Sequence, residues 1–264
     1  MTGSERSLVE GIDREWLFAA AEEDPVRHAY AVWDLKQAPD RVRFVTARVG
    51  KRVLAYLLIW YGHPAGPVVH WVGAGCSASF LTGGLPARPV LAVVPEEVTD
   101  EVSTALQPVE RVPLLVLTHG PSIVSRRARE DGVRALTSHD ARAVAALVKD
   151  RPDLVLDAYR SLPIGHEPSW GYFEGPRLLG VIRVAVHLPR VWVLGGVFAV
   201  LEARGIGIGT ALAATATRAA IAAHATPVLA LREDNRPARH AYERIGYHVF
   251  ERRCWIDGGT GLLP

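Results

Sequence analysis

The sequence is poor in cysteine, in lysine and in long apolar runs, and each shortage excludes a class of protein. Its two cysteines, Cys76 and Cys254, are too few for a disulfide framework or a zinc site. Apolar runs such as residues 53–61 are far shorter than the roughly 20 residues that span a bilayer. The first ten residues are polar and lack the apolar segment of a secretory signal. We therefore expect a cytoplasmic protein with no membrane partner and no metal.

Lysine occurs at only three positions, so arginine supplies nearly all of the positive charge. The formal net charge of +2 is too small to indicate a nucleic-acid partner. A length of 264 residues, with 49% of them hydrophobic, is enough for two domains with buried cores. Composition thus favours an ordinary globular protein.

The order of the predicted elements indicates an α/β or α+β fold in two parts. A polar, arginine-rich stretch at residues 125–131 marks the predicted boundary between domains 1–130 and 131–264. The glycine-rich residues 73–88 are predicted to be irregular. The predicted strands are residues 42–48, 53–61, 68–72, 90–94, 114–118, 170–173, 178–186, 191–200, 228–231 and 247–255. The predicted helices are residues 13–23, 26–35, 95–106, 141–148, 207–223 and 236–245.

The two parts resemble each other weakly. Residues 50–55 match residues 175–180 at an offset of 125 residues, and each stretch has the pattern of a hairpin turn entering an apolar strand. The same offset places residues 68–72 against residues 193–197, again strand on strand. We therefore expect the same fold in both parts.

A glycine-rich loop before an alanine-rich helix carries the strongest functional signal. Its sequence is Arg204-Gly205-Ile206-Gly207-Ile208-Gly209-Thr210. Glycines at alternate positions let the main chain bend and approach a ligand, and the N–H groups at a helix start favour a phosphate. The loop lacks the lysine of a P-loop and the third glycine of a dinucleotide fingerprint. Taken alone, it also fits an ordinary strand-to-helix turn.

Residues downstream of the loop add a resemblance to a known family. The Arg/Gln-x-x-Gly-x-Gly/Ala loop of the GNAT N-acetyltransferase superfamily is matched by Arg204, Gly207 and Gly209. The later pattern of that superfamily is matched by Asn235, Ala238, Tyr242, Gly246 and Tyr247. The sequence therefore resembles this superfamily over residues 133–253. Its overall layout is similar to the glycine N-acyltransferase-like branch.

The resemblance implies an acetyl-CoA-dependent N-acetyltransferase. Acetyl-CoA, or another acyl-CoA, would give its acyl group to a primary amine by direct attack in a ternary complex. The implied fold is two GNAT-like mixed-sheet domains, of which the amino-terminal one is degenerate. In the carboxyl-terminal one, two parallel strands splay apart to bind acyl-CoA.

The same resemblance implies roles for particular residues. The main chain of Val197, Phe198 and Ala199 would pair with the pantetheine, and the N–H groups of the glycine-rich loop would hold the diphosphate. Asn235 would hydrogen-bond the cofactor, cap a helix, or do both. Tyr242 would protonate the departing sulfur, or is a half-buried core tyrosine.

The attacking amine must lose a proton, because an alkylammonium has a pKa of about 10.4. Four residues are candidates for accepting it, and no spacing selects one: Glu174, His187, Glu202 and Glu233. We expect the acceptor to be a small-molecule or peptide amine, and a homodimer stays open. A non-catalytic acyl-CoA-binding sensor or partner module is the alternative function.

The amino-terminal part has a different expected role. At the 125-residue offset, the glycine-rich loop corresponds to residues 79–84, which lack the arginine and the alternating glycines. We expect this part to have lost cofactor binding and to help wall the acceptor cleft.

Overall fold

The computed structural model describes residues 6–73, 78–120, 124, 129–149 and 163–261. The chain divides into unit 1, Met1–Leu114 with Glu251–Pro264, and unit 2, Leu115–Phe250. Both divisions fall inside strands, so unit 1 is built from two separate stretches of sequence. The predicted boundary between residues 130 and 131 stays a prediction, and most of the arginine-rich stretch beside it lies outside the described residues.

Unit 1 is a mixed sheet with helices. Its strands are β1 (Arg6–Glu10), β2 (Val42–Val49), β3 (Arg52–Trp60), β4 (Val68–Val72) and β5 (Leu91–Pro95). Its helices are α1 (Arg14–Glu23), α2 (Ala29–Gln37), α3 (Ala78–Thr82) and α4 (Thr99–Leu106). Strands β6 (Glu110–His119) and β12 (Tyr247–Asp257) each contribute residues to both units. The strand order within unit 1 is β1-β2-β3-β4-β5-β12.

Unit 2 repeats this plan. Its own strands are β7 (Val133–Ala135), β8 (Ser169–Glu174), β9 (Arg177–Leu188), β10 (Val191–Ala199) and β11 (Thr226–Arg232). The helices are α5 (Ala141–Val148), α6 (Ile208–Ala222) and α7 (Arg236–Arg244). The strand order within unit 2 is β6-β11-β10-β9-β8-β7.

The internal repeat is visible in the sheets. Strands β2, β3 and β4 are antiparallel and β5 then runs parallel to β4, just as β8, β9 and β10 are antiparallel and β11 runs parallel to β10. Both hairpin turns contain a left-handed glycine, Gly50 at φ +58° and Gly175 at φ +59°. Glycine adopts this conformation without strain. The expected mixed-sheet α/β fold of both parts is confirmed.

Small side chains let α6 lie close against the sheet of unit 2. Its alanines at positions 211, 213, 214, 216 and 220 are fully buried. The last four of them share one apolar core with Ile182 and Val184 of β9 and with Leu194 of β10. The alanine-rich sequence therefore fixes the start of α6 firmly beside the ends of β9 and β10.

In unit 1 a buried arginine bridges the two parallel strands. The backbone pairing of β4 with β5 ends at His70↔Val93. Just there, the guanidinium of Arg253 from β12 donates hydrogen bonds to the carbonyl oxygens of Trp71 on β4 and Val93 on β5, the latter at 3.0 Å. Glu251 forms an ion pair with the same arginine at 3.4 Å. The guanidinium of Arg253 thus occupies the point where β4 and β5 stop pairing.

Three elements were not predicted from the sequence. One is strand β7, which pairs antiparallel with β8 from Val133↔Tyr172 to Ala135↔Trp170. Strand β1 is short and largely polar, and it is held by antiparallel pairing with β2 from Arg6↔Val49 to Glu10↔Val45. Helix α3 lies within the glycine-rich stretch that was predicted to be irregular, and the buried Leu81 anchors it in the core of unit 1. Among the described residues, no helix is long and apolar enough to cross a membrane.

Candidate active site

The parallel strands β10 and β11 pair only at their beginnings. Their register runs from Val191↔Thr226 to Leu194↔Leu229, although β10 continues to Ala199 and β11 to Arg232. The register of β10 against β9 also shifts between Gly195 and Phe198, where Gly196 has φ +60°. Such a bulge bends a strand locally. Within the described residues, positions 195–199 of β10 have no paired residue on β11.

A tight loop joins β10 to α6. A single 3₁₀ turn, Leu201–Ala203, is followed by Arg204, and Gly205 and Gly207 have φ of +76° and +96°. The first backbone hydrogen bond of α6 runs from the N–H of Ala211 to the carbonyl oxygen of Gly207 at 3.0 Å. The N–H groups of residues 208–210 precede that bond, so they point out of the helix start. Glycine at position 207 has no side chain that could cap them.

The three loop glycines border open space. A Cβ built on Gly205, Gly207 or Gly209 would meet no atom within 4 Å. Positive φ accounts for the first two, but Gly209 is helical and neither its backbone conformation nor its packing demands glycine. In contrast, a Cβ on Gly180 of β9 would lie 2.8 Å from the carbonyl oxygen of Phe198. The loop is therefore packed tightly on its β9 side and open on the other.

This open side is a groove of about 790 Å³. Its walls are the end of β10, the loop, the start of α6 and one face of α7. The lining residues are Val197, Phe198, Ala199, Ala203, Arg204, Gly205, Gly207, Ile208, Gly209, Thr210, Asn235, Pro237, Ala238, His240, Ala241, Tyr242 and Arg244. The structure thus brings every predicted site residue to the groove except Ile206. No carboxylate is among these described lining residues.

Arg204 is oriented by the strand end that precedes the loop. Its Nε donates to the carbonyl oxygen of Ala199 at 3.2 Å, and its guanidinium carbon lies 5.9 Å from the centre of the Phe198 ring. Arginine over an aromatic face at this distance is a cation–π arrangement. The guanidinium is thereby held beside the helix start, where it adds charged donors to the backbone N–H groups.

Asn235 and Tyr242 lie at the two ends of α7. The side-chain oxygen of Asn235 accepts the N–H of Ala238 at 3.2 Å, which caps the helix. Tyr242 is buried, and its ring centre lies 6.0 Å from that of Tyr247. No described residue hydrogen-bonds its hydroxyl. Burial raises the pKa of Tyr242 to about 12, so its hydroxyl keeps its proton at neutral pH.

The four candidates for a general base all lie outside the lining of the groove. A hydrogen bond within its own backbone and an ion pair with Arg177 lower the pKa of Glu202, which makes it a weaker base. His187 pairs with Glu167 and packs against Trp192 near the start of β10, far from the loop. Glu174 ends β8 at the hairpin turn, and Glu233 follows β11. The described lining of the groove therefore supplies no carboxylate base.

Sequence reasoning missed two basic residues in the groove, His240 and Arg244. They are four residues apart on α7, as are Arg239 and Glu243, so the spacing alone did not single them out. Only the packing of α7 shows which stripe faces the groove.

Comparison with known proteins agrees with this geometry. Residues 132–247 match the family model described as Acetyltransferase (GNAT) family. No curated protein matches the sequence. The predicted resemblance to the GNAT superfamily is confirmed, whereas the glycine N-acyltransferase-like branch stays a prediction.

Solved structures share the fold over nearly the whole chain. A Drosophila protein aligns with a TM-score of 0.68 at 16% identity, covering 95% of this chain and 97% of that one. A GCN5-related N-acetyltransferase from Sphaerobacter thermophilus aligns with a TM-score of 0.62 at 16% identity, covering 95% and 94%. A tandem GNAT protein from the clavulanic acid biosynthesis pathway aligns with a TM-score of 0.58 at 16% identity, covering 97% and 99%. Identities this low support the fold alone.

Proposed function

We propose, from the GNAT acetyltransferase domain that residues 132–247 form, that this protein transfers an acyl group from acetyl-CoA or a related acyl-CoA to a primary amine. The observation that carries the proposal is that β10 and β11 stop pairing after Leu194↔Leu229. The start of α6 lies beside this opening, with open space next to Gly205, Gly207 and Gly209. A long, polyanionic, partly peptide-like ligand fits such a site better than a compact one does.

The groove fits acyl-CoA in each of its parts. Main-chain groups at residues 197–199 are available to pair with the pantetheine amides, as an added strand would pair. The N–H groups of residues 208–210 and the guanidinium of Arg204 suit a diphosphate. The absence of a carboxylate among the described lining residues avoids repulsion of the phosphates. Bound acyl-CoA would supply a thioester, whose carbonyl carbon is open to attack by an amine.

Tyr242 is the residue that we assign to protonation of the leaving sulfur. Its raised pKa of about 12 keeps the proton available throughout the neutral range. A thiol of pKa about 8.5 leaves tolerably as the thiolate, so the hydroxyl assists departure more than it enables it. We therefore place the contribution of Tyr242 near the lower end of the roughly 10²–10⁴-fold that acid catalysis gives.

No carboxylate among the described lining residues can accept the proton of the attacking ammonium. Glu174, His187, Glu202 and Glu233 are all outside the lining, so we assign the general base to none of them. Water and the imidazole of His240, which lines the groove, are the acceptors that remain. This same observation favours the second candidate function, a module that binds acyl-CoA without turning it over.

Calorimetric binding of acetyl-CoA tests the proposal. We expect wild type to bind and Gly207→Val to lose binding, because a branched side chain at φ +96° both strains the loop and enters the groove. The matched control is Gly175→Val, which is also at positive φ with open space around it but lies in the β8–β9 turn. A folded wild type that binds no acetyl-CoA would refute the proposal.

A turnover measurement separates the two candidate functions. Release of free CoA thiol is followed with acetyl-CoA and a panel of small amines, amino acids and peptide amino termini. Amine-dependent release supports the transferase, whereas tight binding with no release over the whole panel supports the binding module.

A further inference from the structure

Helix α7 ends at a carbonyl group that needs a hydrogen-bond donor from outside the helix. The last residues of any α-helix leave carbonyl oxygens without partners in the helix itself. At this end the N–H of Ile245 donates to the carbonyl oxygen of Tyr242, and the N–H of Gly246 donates to that of Glu243, both at 3.0 Å. Ile245 is buried, so its own carbonyl oxygen depends on a donor from another element.

That donor comes from β6, 126 residues earlier in the chain. Nε2 of His119, the last residue of β6, lies 2.8 Å from the carbonyl oxygen of Ile245, and the contact is buried. Because a carbonyl oxygen can only accept, Nε2 carries the proton and donates it. Nδ1 of the same ring faces the carbonyl oxygen of Gly120. The imidazole therefore connects the end of α7 to the end of β6.

The ring of His119 is also fixed by packing. It is buried, and its centre lies 5.4 Å from that of the Tyr247 ring in an edge-to-face arrangement. A Cβ built on Gly246 would lie 2.6 Å from Nε2, which is closer than real atoms approach. Glycine at this position thus provides both φ of +106° and room for the imidazole. Gly246 and Tyr247 hold the ring against the end of α7.

The same end of α7 carries Tyr242. This residue lies three positions before Ile245, so the two side chains share one face of the helix, and both belong to the buried core of unit 2. The Tyr242 ring lies 6.0 Å from that of Tyr247, the residue against which the His119 ring packs. The direction of the Tyr242 hydroxyl is therefore set by where the last turn of α7 lies.

We propose that His119 is a positioning residue for acyl transfer. By donating its Nε2 proton to the carbonyl oxygen of Ile245, it places the last turn of α7 and with it the Tyr242 hydroxyl. Histidine is well suited to this position, because its ring N–H can hydrogen-bond the last carbonyls of a helix. The inference rests on the proposed function, since Tyr242 has a leaving group to protonate only if the groove holds an acyl-CoA.

Two variants of the full chain separate the ring nitrogens of His119. The amide nitrogen of glutamine reaches about as far as Nε2, whereas that of asparagine reaches about as far as Nδ1. We expect His119→Gln to keep most of kcat and His119→Asn to lower it about tenfold, within the roughly 10²-fold that a 1 Å misplacement costs. The Michaelis constant for acetyl-CoA should change little in both. The matched control is His248→Ala, which removes the 3.2 Å contact with Thr118 of β6 and should keep wild-type kcat.

A second substitution distinguishes positioning of Tyr242 from a general loss of structure. In a Tyr242→Phe background, His119→Asn should lower kcat little further, because the hydroxyl that His119 positions is gone. Losses that multiply would overturn the inference. So would wild-type kcat in His119→Asn, or a His119→Gln variant that is no more active than His119→Asn.

A measurement on wild type covers the case in which His119→Asn does not fold. Nitrogen-15 NMR of the histidine rings, with the His119 signals assigned from the spectrum of His119→Gln, shows which ring nitrogens carry protons. We expect a protonated Nε2, and an unprotonated Nε2 would overturn the inference whether or not the protein transfers acyl groups. If Nε2 is protonated but folded wild type neither binds acetyl-CoA nor turns it over, the proposed function fails, and the role of His119 in it fails too.

Discussion

Asn235 caps α7 through Ala238, with its side-chain oxygen 3.2 Å from the backbone nitrogen that it accepts from. The same side chain lines the groove, so a structural and a ligand-binding role coincide in one residue. Serine also caps helices well, whereas alanine cannot, and replacing an N-cap by alanine costs about 1 kcal/mol. We expect Asn235→Ser to keep the free energy of unfolding and Asn235→Ala to lower it by about that amount, as measured by denaturant titration.

Binding of acetyl-CoA then separates the two roles of Asn235. If the amide contacts the cofactor, Asn235→Ser should bind several-fold more weakly although it is as stable as wild type. An Asn235→Ser protein with wild-type affinity would reduce Asn235 to a helix cap.

Replacing Tyr242 by phenylalanine should slow acyl transfer by about 10²-fold. The Michaelis constant for acetyl-CoA should change little, because the lost hydroxyl acts on the leaving sulfur. Since burial raises the pKa of Tyr242 to about 12, the ratio of the wild-type rate to the variant rate should stay constant from about pH 6 to 9. Steady-state rates across this range give the answer, and an unchanged rate in the variant would remove Tyr242 from the chemistry.

The raised pKa of Tyr242 also predicts how stability depends on pH. An unfolded tyrosine ionises near pH 10. Between about pH 10 and 12 the unfolded chain therefore loses its proton more readily than the folded chain, and the free energy of unfolding falls as the pH rises. Tyr242→Phe should lose less stability over that window than wild type does. Denaturant titrations at pH 10 and pH 12 measure the loss for both proteins. An equal loss of unfolding free energy in wild type and Tyr242→Phe would contradict the raised pKa.

Replacement by alanine should have opposite effects on stability at two glycines beside the groove, Gly209 and Gly180. A methyl group on Gly209 enters open space in the first turn of α6, so Gly209→Ala should stabilise the protein by up to about 1 kcal/mol. The GNAT loop pattern accepts alanine at this position, so binding of acetyl-CoA should survive. A methyl group on Gly180 would lie 2.8 Å from the Phe198 carbonyl and push the end of β10 outward.

We expect Gly180→Ala to cost about 1–3 kcal/mol, the usual range for overpacking, and to weaken binding of acetyl-CoA. Thermal unfolding and calorimetry of both variants provide the comparison. Destabilisation of Gly209→Ala by as much as Gly180→Ala would show that the space above the loop is filled.

Local chemistry made much of the fold predictable from the sequence. The hairpin turns at Gly50 and Gly175 were predicted because glycine alone takes positive φ easily, and both have it, as does Gly246 directly after the predicted helix 236–245. The bounds of α6 and α7 came out within a residue or two, since alanine content, a capping asparagine and a terminal glycine all act locally.

The features of the fold that depend on long-range strand pairing could not be predicted from the sequence. Strand β1 has no apolar alternation of its own and exists because β2 offers it a partner. The division of the chain inside β6 and β12 depends on which strands pair across more than a hundred residues, and no local signal encodes that. In the site, the glycine-rich loop could be predicted from its sequence pattern. The position of His240 and Arg244 in the groove could not, because it depends on which face of α7 is turned towards the groove.

The Arg253 bridge in unit 1 predicts that each chain binds a single acyl-CoA. The guanidinium occupies the carbonyls of Trp71 and Val93 where β4 and β5 part, the position that corresponds to the opening between β10 and β11. Calorimetric titration with acetyl-CoA should therefore give one site per chain. Arg253→Met should lower stability by about 1–3 kcal/mol for each carbonyl left unpaired. A second site in wild type would contradict this reading.

Sharing of strands also sets an order for folding during synthesis. Residues 253–257 of β12 pair with residues 91–95 of β5, yet the ribosome adds them only after all of unit 2 has been made. The usual sequence, in which the amino-terminal domain finishes first, is therefore reversed. Until β12 arrives, the edge of β5 stays open as a template for any other strand. A nascent chain would pass through this exposed state on every round of translation, and unit 1 would be the last part to close.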